Sequence, residues 1–172
     1  QDIADYIGDS FYLSKVATKV SQDRIIFAGV EFMGESAKIL NPKKRVFMPD
    51  MNADCPMAHM ADKDEILALR EKYDDLAVVC YINSTAELKK YSDVCVTSSN
   101  AVKIVKNLPN KNIFFIPDRN LGSYVAKQCP DKNFIFNNGC CPRHVVITKD
   151  MVLKAKELHP EARFAAHPEC TE

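Results

Sequence analysis

Cys55 and Cys141 lie 86 residues apart, and the chain around them matches itself at that same displacement. Lys63-Asp64 falls on Lys149-Asp150, Leu67 on Leu153, Glu71 on Glu157 and Thr85 on Thr171. The apolar run Leu76 to Cys80 falls on Ala162 to Ala166, Tyr81 on His167 and Asn83 on Glu169. Self-similarity at a fixed period means one structural unit per copy, stacked so that neighbours share a core. Thiols recur at one place in the unit and polar groups at another. The repeat therefore points to symmetry-related domains facing a shared centre.

Composition removes several function classes. Lys+Arg and Asp+Glu balance at 23 each, so the chain lacks the basic footprint of a nucleic-acid binder. No apolar stretch approaches the roughly 18–20 residues needed to span a bilayer. The stretch Gln1-Asp2-Ile3-Ala4-Asp5 lacks the basic and apolar regions of a signal peptide. The expectation is a cytoplasmic protein with neither nucleic acid nor membrane as partner. Neither G-x-G-x-x-G nor G-x-x-x-x-G-K-[ST] occurs, which argues against a nucleotide-phosphate loop.

Seven cysteines in such a chain need an explanation other than a disulfide scaffold. No C-x-x-C is present, against a zinc ribbon. Cys80 and Cys95 sit in apolar strand-like runs and read as small buried hydrophobes. Cys129 ends a helix-like segment before Pro130 and reads as incidental. Cys55, Cys140, Cys141 and Cys170 lie in polar loops punctuated by Pro or Gly.

Strands and helices alternate along the chain. Asp2 to Ser21 has helical spacing broken at Gly8-Asp9-Ser10, with Asp9 or Ser10 capping a second helix. Arg24 to Val30 reads as a strand, Glu31 to Leu40 as a helix and Arg45 to Met48 as a strand. Helices are expected over Lys63 to Lys72, Ala86 to Tyr91, Ser99 to Leu108 and Leu121 to Gln128. Strands are expected over Leu76 to Ile82, Val94 to Thr97, Asn112 to Ile116 and Asn133 to Phe136. A third unit starts with the helix Lys149 to Leu158 and the strand Ala162 to Ala166. One helix and one strand cannot bury their own apolar surface, so the chain reads as a fragment.

This alternation predicts an α/β fold with short parallel sheets covered on both faces. Ligands of such sheets gather at the carboxyl ends of the strands. Cys55, Tyr81, Asn83, Ser98, Cys141, His167 and Glu169 all lie at or beyond predicted strand ends, on one face of the assembly. His167 and Glu169 alternate along an extended segment, so their side chains point the same way. An imidazole and a carboxylate so paired exchange protons. Tyr81 is a hydrogen-bond donor or a proton-transfer group, or else a core tyrosine. Asn83, Ser98 and Ser10 each stand where they could cap a following helix.

Seven segments in order resemble the quinolinate synthase family. They are Tyr6-Ile7-Gly8-Asp9-Ser10, Phe27-Ala28-Gly29-Val30-Glu31-Phe32-Met33, Ala37-Lys38-Ile39-Leu40-Asn41-Pro42, Tyr81-Ile82-Asn83-Ser84-Thr85-Ala86-Glu87, Val96-Thr97-Ser98-Ser99-Asn100-Ala101-Val102, Pro117-Asp118-Arg119-Asn120-Leu121 and His167-Pro168-Glu169-Cys170. The resemblance covers essentially the whole chain. It implies three pseudo-symmetric three-layer αβα domains with the active site at their shared interface. The corresponding limits are 1–60, incomplete at its N-terminus, 61–146, and 147–172, the start of a truncated third domain.

The resemblance also implies condensation of iminoaspartate with dihydroxyacetone phosphate to quinolinate, in de novo NAD biosynthesis. The cofactor would be a [4Fe-4S] cluster with one open iron. Cys55 and Cys141 match two of its ligands. The third, and a serine-threonine phosphate loop, would follow Glu172, and a histidine-tyrosine segment would precede Gln1. By the same likeness Tyr81, His167 and Glu169 are catalytic, and Ser10, Asn83 and Ser98 bind substrate. Functional coupling to L-aspartate oxidase or aspartate dehydrogenase is implied as well. The chain departs from the family pattern in Asn52-Ala53-Asp54-Cys55-Pro56, where a small residue before the cysteine and a serine after it are usual. At the doublet, Cys141 is in repeat register with His144 following, and Cys140 is its substitute. His144 reads as a loop support, His59 and His159 as surface residues, and Cys170 as a bystander. The competing readings are another [4Fe-4S] hydro-lyase and a non-catalytic flavodoxin-like ligand-binding module.

Overall fold

Asp9 starts the first helix. Its carboxylate accepts the Tyr12 N–H at 2.7 Å, capping α1 (Ser10–Lys19). The computed structural model describes residues 2–171, so positions 1 and 172, the outer limits of the first and third expected domains, lie outside it. The helical spacing read before Gly8 is not realised: residues 2–8 form no helix, and Ile3, Tyr6 and Ile7 are exposed. Fewer than two turns without a packed face do not repay helix nucleation.

Two parallel sheets follow, joined to helices by short loops. β1 (Arg24–Ile26) pairs in parallel with β2 (Arg45–Phe47), and α2 (Glu31–Leu40) connects them. After α3 (Lys63–Lys72), the second sheet is built from β3 (Leu76–Tyr81), β4 (Val94–Val96), β5 (Asn112–Ile116) and β6 (Asn133–Phe136). Its order is β4-β3-β5-β6, all parallel, with α4 (Ala86–Lys90), α5 (Ala101–Asn107) and α6 (Arg119–Gln128) as crossovers. Most expected elements are present, several with the same limits. Where strands are shorter, the chain leaves the ladder: after Ile26 only the Phe27 N–H still reaches Phe47 O.

β3 explains the layering. All six of its residues are buried, and successive side chains alternate between faces. Leu76, Val78 and Cys80 pack with Ile66 of α3 and Leu88 of α4. Ala77, Val79 and Tyr81 pack with Ala101 and Val105 of α5 and Leu121 and Val125 of α6. Each fully buried Val, Ile or Phe stabilises this αβα sandwich by about 1.5–3 kcal/mol. Cys129 is wholly buried in the second cluster and is a core residue rather than an incidental one. Cys95 is exposed, because β4 is an edge strand.

The repeat reappears as local geometry. Cys55 O accepts the Ala58 N–H at 2.9 Å, opening a 3-10 turn (Pro56–His59) that the sequence reading did not contain. Cys141 O accepts the His144 N–H at 3.1 Å in the same way, again just before a proline. Asp62 then caps α3, and Thr148 caps α7 (Lys149–Leu158). Beyond α7 the expected strand Ala162 to Ala166 is absent: the segment is exposed and makes no ladder. A strand exists only through its partner's hydrogen bonds, and no described strand lies beside it. Among the described residues, no helix is long and apolar enough to cross a membrane.

Candidate active site

β5 ends at a cis Ile116–Pro117 bond, and the next residue, Asp118, is fully buried. Asp118 Oδ1 accepts the Leu121 N–H at 2.7 Å and so caps α6. Its Oδ2 accepts the Cys141 N–H at 2.9 Å. Burial raises its pKa, and the backbone bonds to Leu121 and Cys141 oppose that rise. Arg119 N–H donates to Gly139 O at 2.8 Å, aligning the cysteine loop with the end of β5.

The loops of both repeat cysteines touch. Asn137 Nδ2 donates to Met60 O at 2.9 Å and to Pro117 O at 2.8 Å, bridging the end of the Cys55 turn and the β5 end. Cys55 and Cys141, both half-buried, border the same core cluster. Cys55 N–H donates to Asp54 Oδ1 at 2.7 Å, and Asp54 Oδ2 lies 2.8 Å from His59 Nε2.

Around Cys141 the polar groups converge. His144 Nδ1 lies 3.0 Å from Cys141 Sγ and 2.7 Å from Glu169 Oε2. The His167 ring stacks on that of His144 with centroids 4.9 Å apart. His167 Nδ1 is 3.9 Å from Glu169 Oε2 and accepts the Glu169 N–H at 3.3 Å. The two side chains do meet, through a turn at Pro168-Glu169 rather than through alternation on a strand. Asn120 Nδ2 donates to Glu169 O at 2.9 Å and ties that turn to α6.

Glu169 is 2% exposed, and its Oε1 has no hydrogen-bond partner. A buried, unpartnered carboxylate oxygen is expensive. It is an acceptor waiting for a cation or a donor. Burial, then the charge of Glu169 and a bond to it, push the Tyr81 phenol above its ordinary pKa, with Ser98 pulling the other way. Tyr81 is thus held protonated, as a donor rather than a base. Burial also raises the Cys141 thiol, partly offset by the backbone N–H groups of Arg143 and His144.

Tyr81, Cys141, His167 and Glu169 are therefore brought together, and Ser98 meets them through Tyr81. Ser98 and His167 line a cleft of about 380 Å³ with Tyr124 and Gln128. Ser98 is not a cap: Asn100 holds the N-cap position of α5. Asn83 is not a cap either, since Thr85 accepts the Leu88 N–H at 3.3 Å. Asn83 makes no side-chain hydrogen bond among the described residues. Ser10 is the first helical residue of α1, and its carbonyl accepts the Ser14 hydroxyl at 2.8 Å. Cys140 stands outside the cluster, its N–H directed at Met60 Sδ at 3.5 Å.

Sequence reading missed four members. His144 belongs to the cluster itself, and its three-residue spacing from Cys141 was the available signal. Asp118, Asn120 and Asn137 fix the loops through contacts that no local pattern reveals. One sulfur, one ring nitrogen and one carboxylate oxygen of Cys141, His144 and Glu169 lie within 4.8 Å of one another. Glu31, Asp54 and His59 form a second such group, more exposed. The soft sulfur donors at Cys55 and Cys141 suit iron, and the free Glu169 Oε1 suits a cationic or proton-donating neighbour. The donor set fits an iron–sulfur group.

Comparison with known proteins places the whole chain in one family. The family model described as quinolinate synthetase A protein matches residues 1–172. A quinolinate synthase of Fusobacterium nucleatum is 62% identical over 172 residues, 100% of this chain and 58% of that protein. Those of Caldicellulosiruptor saccharolyticus and Clostridioides difficile are 56% and 50% identical over 170 residues, 99% of this chain and 56% of each. The chain spans a little over half the length of the curated relatives it matches. With a match across its whole length and thiols, imidazoles and a buried carboxylate gathered at the strand ends, the chain belongs to the quinolinate synthetase A family.

Proposed function

We propose that this chain carries part of the active site of a quinolinate synthase. The reaction condenses iminoaspartate with dihydroxyacetone phosphate to give quinolinate for NAD biosynthesis. Cys55 and Cys141 would supply two thiolates to a [4Fe-4S] cluster. When bound, that cluster supplies an open iron acting as a Lewis acid toward a hydroxyl or carboxylate oxygen.

The observation that carries this reading is Glu169: buried, with one oxygen against His144 and the other free. Glu169 and His167 are the proton-handling pair for imine formation, tautomerisation and dehydration. His144 fixes one carboxylate oxygen, which leaves Oε1 directed to the reacting molecule. Tyr81, kept as O–H by its surroundings, donates to a substrate oxygen. Ser98, Asn83 and Ser10 would bind the substrate's carboxylate and carbonyl groups. The cleft beside Ser98 and His167, about 380 Å³, has room for small substrates. Domain limits of 1–60, 61–146 and 147–172 place a cysteine loop near the end of each of the first two units. A cytoplasmic location and coupling to an enzyme that generates iminoaspartate from aspartate complete the proposal.

The test is anaerobic iron and sulfide analysis, with a visible spectrum and product assay, on a protein spanning the relatives' full length. About four irons per chain, a broad band near 400 nm and quinolinate formation are expected. Cys55→Ala or Cys141→Ala abolishes cluster assembly, whereas Cys80→Ala leaves it intact. Iron with a different product would indicate another hydro-lyase. Iron-free protein that resists reconstitution would leave a binding module.

A further inference from the structure

The register of the second sheet sets Cys80 of β3 directly opposite Cys95 of β4. Neighbouring strands run about 4.8 Å apart, within the roughly 4.4–6.8 Å between Cα atoms that a disulfide bridges. Register partners in a sheet project from the same face. Here it is the face covered by α3 and α4, opposite the one that carries Tyr81. The two side chains are therefore neighbours across the β3–β4 pair.

A cation stands beside them. Lys89 of α4 is held by Ser36 Oγ at 2.8 Å and over the Phe32 ring at 5.6 Å, and its charge acts on both sulfurs. Access is unequal: Cys80 is fully buried, while Cys95 is exposed on an edge strand. The pair shares protons so that one sulfur is readily ionised. The Cys95 thiol, ahead of the Ser84 and Ser92 hydroxyls and the Lys89 charge, lowers Cys80 to about 7 against the effect of burial.

We propose that Cys80 and Cys95 form a reversible dithiol–disulfide site that exchanges with low-molecular-weight disulfides. Two observations carry it: the facing register of the two cysteines, and one exposed partner beside one buried partner.

The exchange balances in two steps. Cys95 Sγ, passing its proton to the neighbouring Cys80 thiolate, attacks one sulfur of a disulfide RS–SR. The RS–SR bond breaks, a Cys95–S–SR mixed disulfide forms, and RS⁻ leaves to take up a proton. The Cys80 thiolate then attacks Cys95 Sγ and expels the second RS⁻, which is also protonated. Two protein thiols are oxidised and RS–SR is reduced to two RSH. The new bond ties together the strand ends that lead to Tyr81 and Ser98.

The experiment uses glutathione disulfide in excess over glutathione, under argon, followed by N-ethylmaleimide in urea and tryptic mapping. The expected product is peptide 73–89 linked to peptide 91–103, lost on treatment with dithiothreitol. Cys95→Ser removes the linkage and Cys170→Ser keeps it, each with an unchanged circular-dichroism spectrum. The proposal is overturned if the folded protein yields both peptides maleimide-labelled. A Cys95–glutathione adduct that never resolves, or a linkage that forms only in urea, overturns it equally.

Discussion

The buried carboxylate of Asp118 holds the Cys141 backbone: its Oδ2 accepts the Cys141 N–H at 2.9 Å while Oδ1 caps α6. The thiol grouped with His144 and Glu169 is thus positioned from the end of a central strand 23 residues earlier in the chain. Asp118→Ala would leave two backbone donors unpaired beside an apolar core. A hydrogen bond to a charged group contributes about 1.5–3 kcal/mol, so a loss of about 3 kcal/mol is expected in urea unfolding. Asp118→Asn keeps one good acceptor and should lose about half as much. Equal stability of the alanine variant and the parent would show that the loop is held otherwise.

Gly139→Ala tests the close approach of the same loop. A Cβ there would stand 2.5 Å from Pro117 O and 2.8 Å from Met60 Cβ. Backbone on one side and the bridged Cys55 turn on the other leave no easy relaxation. The substitution should cost about 1–3 kcal/mol and lower iron incorporation in the full-length protein. Normal stability together with full iron content would contradict this packing.

Tyr81→Phe keeps the ring in the core and removes only the hydroxyl. Its unfolding midpoint should move little, since the phenol sits next to Ser98 and Glu169 rather than within a ladder. Quinolinate formation by the full-length protein should fall at least about tenfold, or about 1.4 kcal/mol of transition-state stabilisation. Unchanged turnover would remove Tyr81 from the catalytic set.

The thiol pair carries a pH dependence of defined sign. Cys80 is lowered from 9.0 to about 7, with the Cys95 thiol as the largest cause. An acid whose pKa is depressed on folding adds stability above its unfolded value and loses it as pH falls through the folded one. Under reducing conditions, the stability advantage of the parent over Cys95→Ala should therefore shrink from about pH 9 to pH 7. The full difference is on the order of 2 kcal/mol. Parallel urea midpoints across that window would exclude the contact.

Much of the fold was legible because its signals are local. The apolar run of β3, the cap residue Asp9 and the apolar spacing of α2 need only a few neighbours to act. Residues 2–8 and Ala162 to Ala166 misled for the converse reason. Helical spacing and strand composition are permissions, and packing or a ladder partner must complete them. The sequence reading named Cys141, His167 and Glu169 together, yet took His144 for a loop support. Its contact with Glu169 spans a turn, a helix and an exposed segment.

By itself the sequence determined the repeat, the strand–helix alternation and the residues that stand at strand ends, because period and composition act along the chain. Tertiary structure alone decided which of those residues meet. Asp118 and Asn137 bind loops distant in sequence, burial keeps Tyr81 protonated, and Glu169 is left with one oxygen free. Desolvation and hydrogen bonding depend on what surrounds a group in space, and the surroundings exist only once the sheet has closed over its helices.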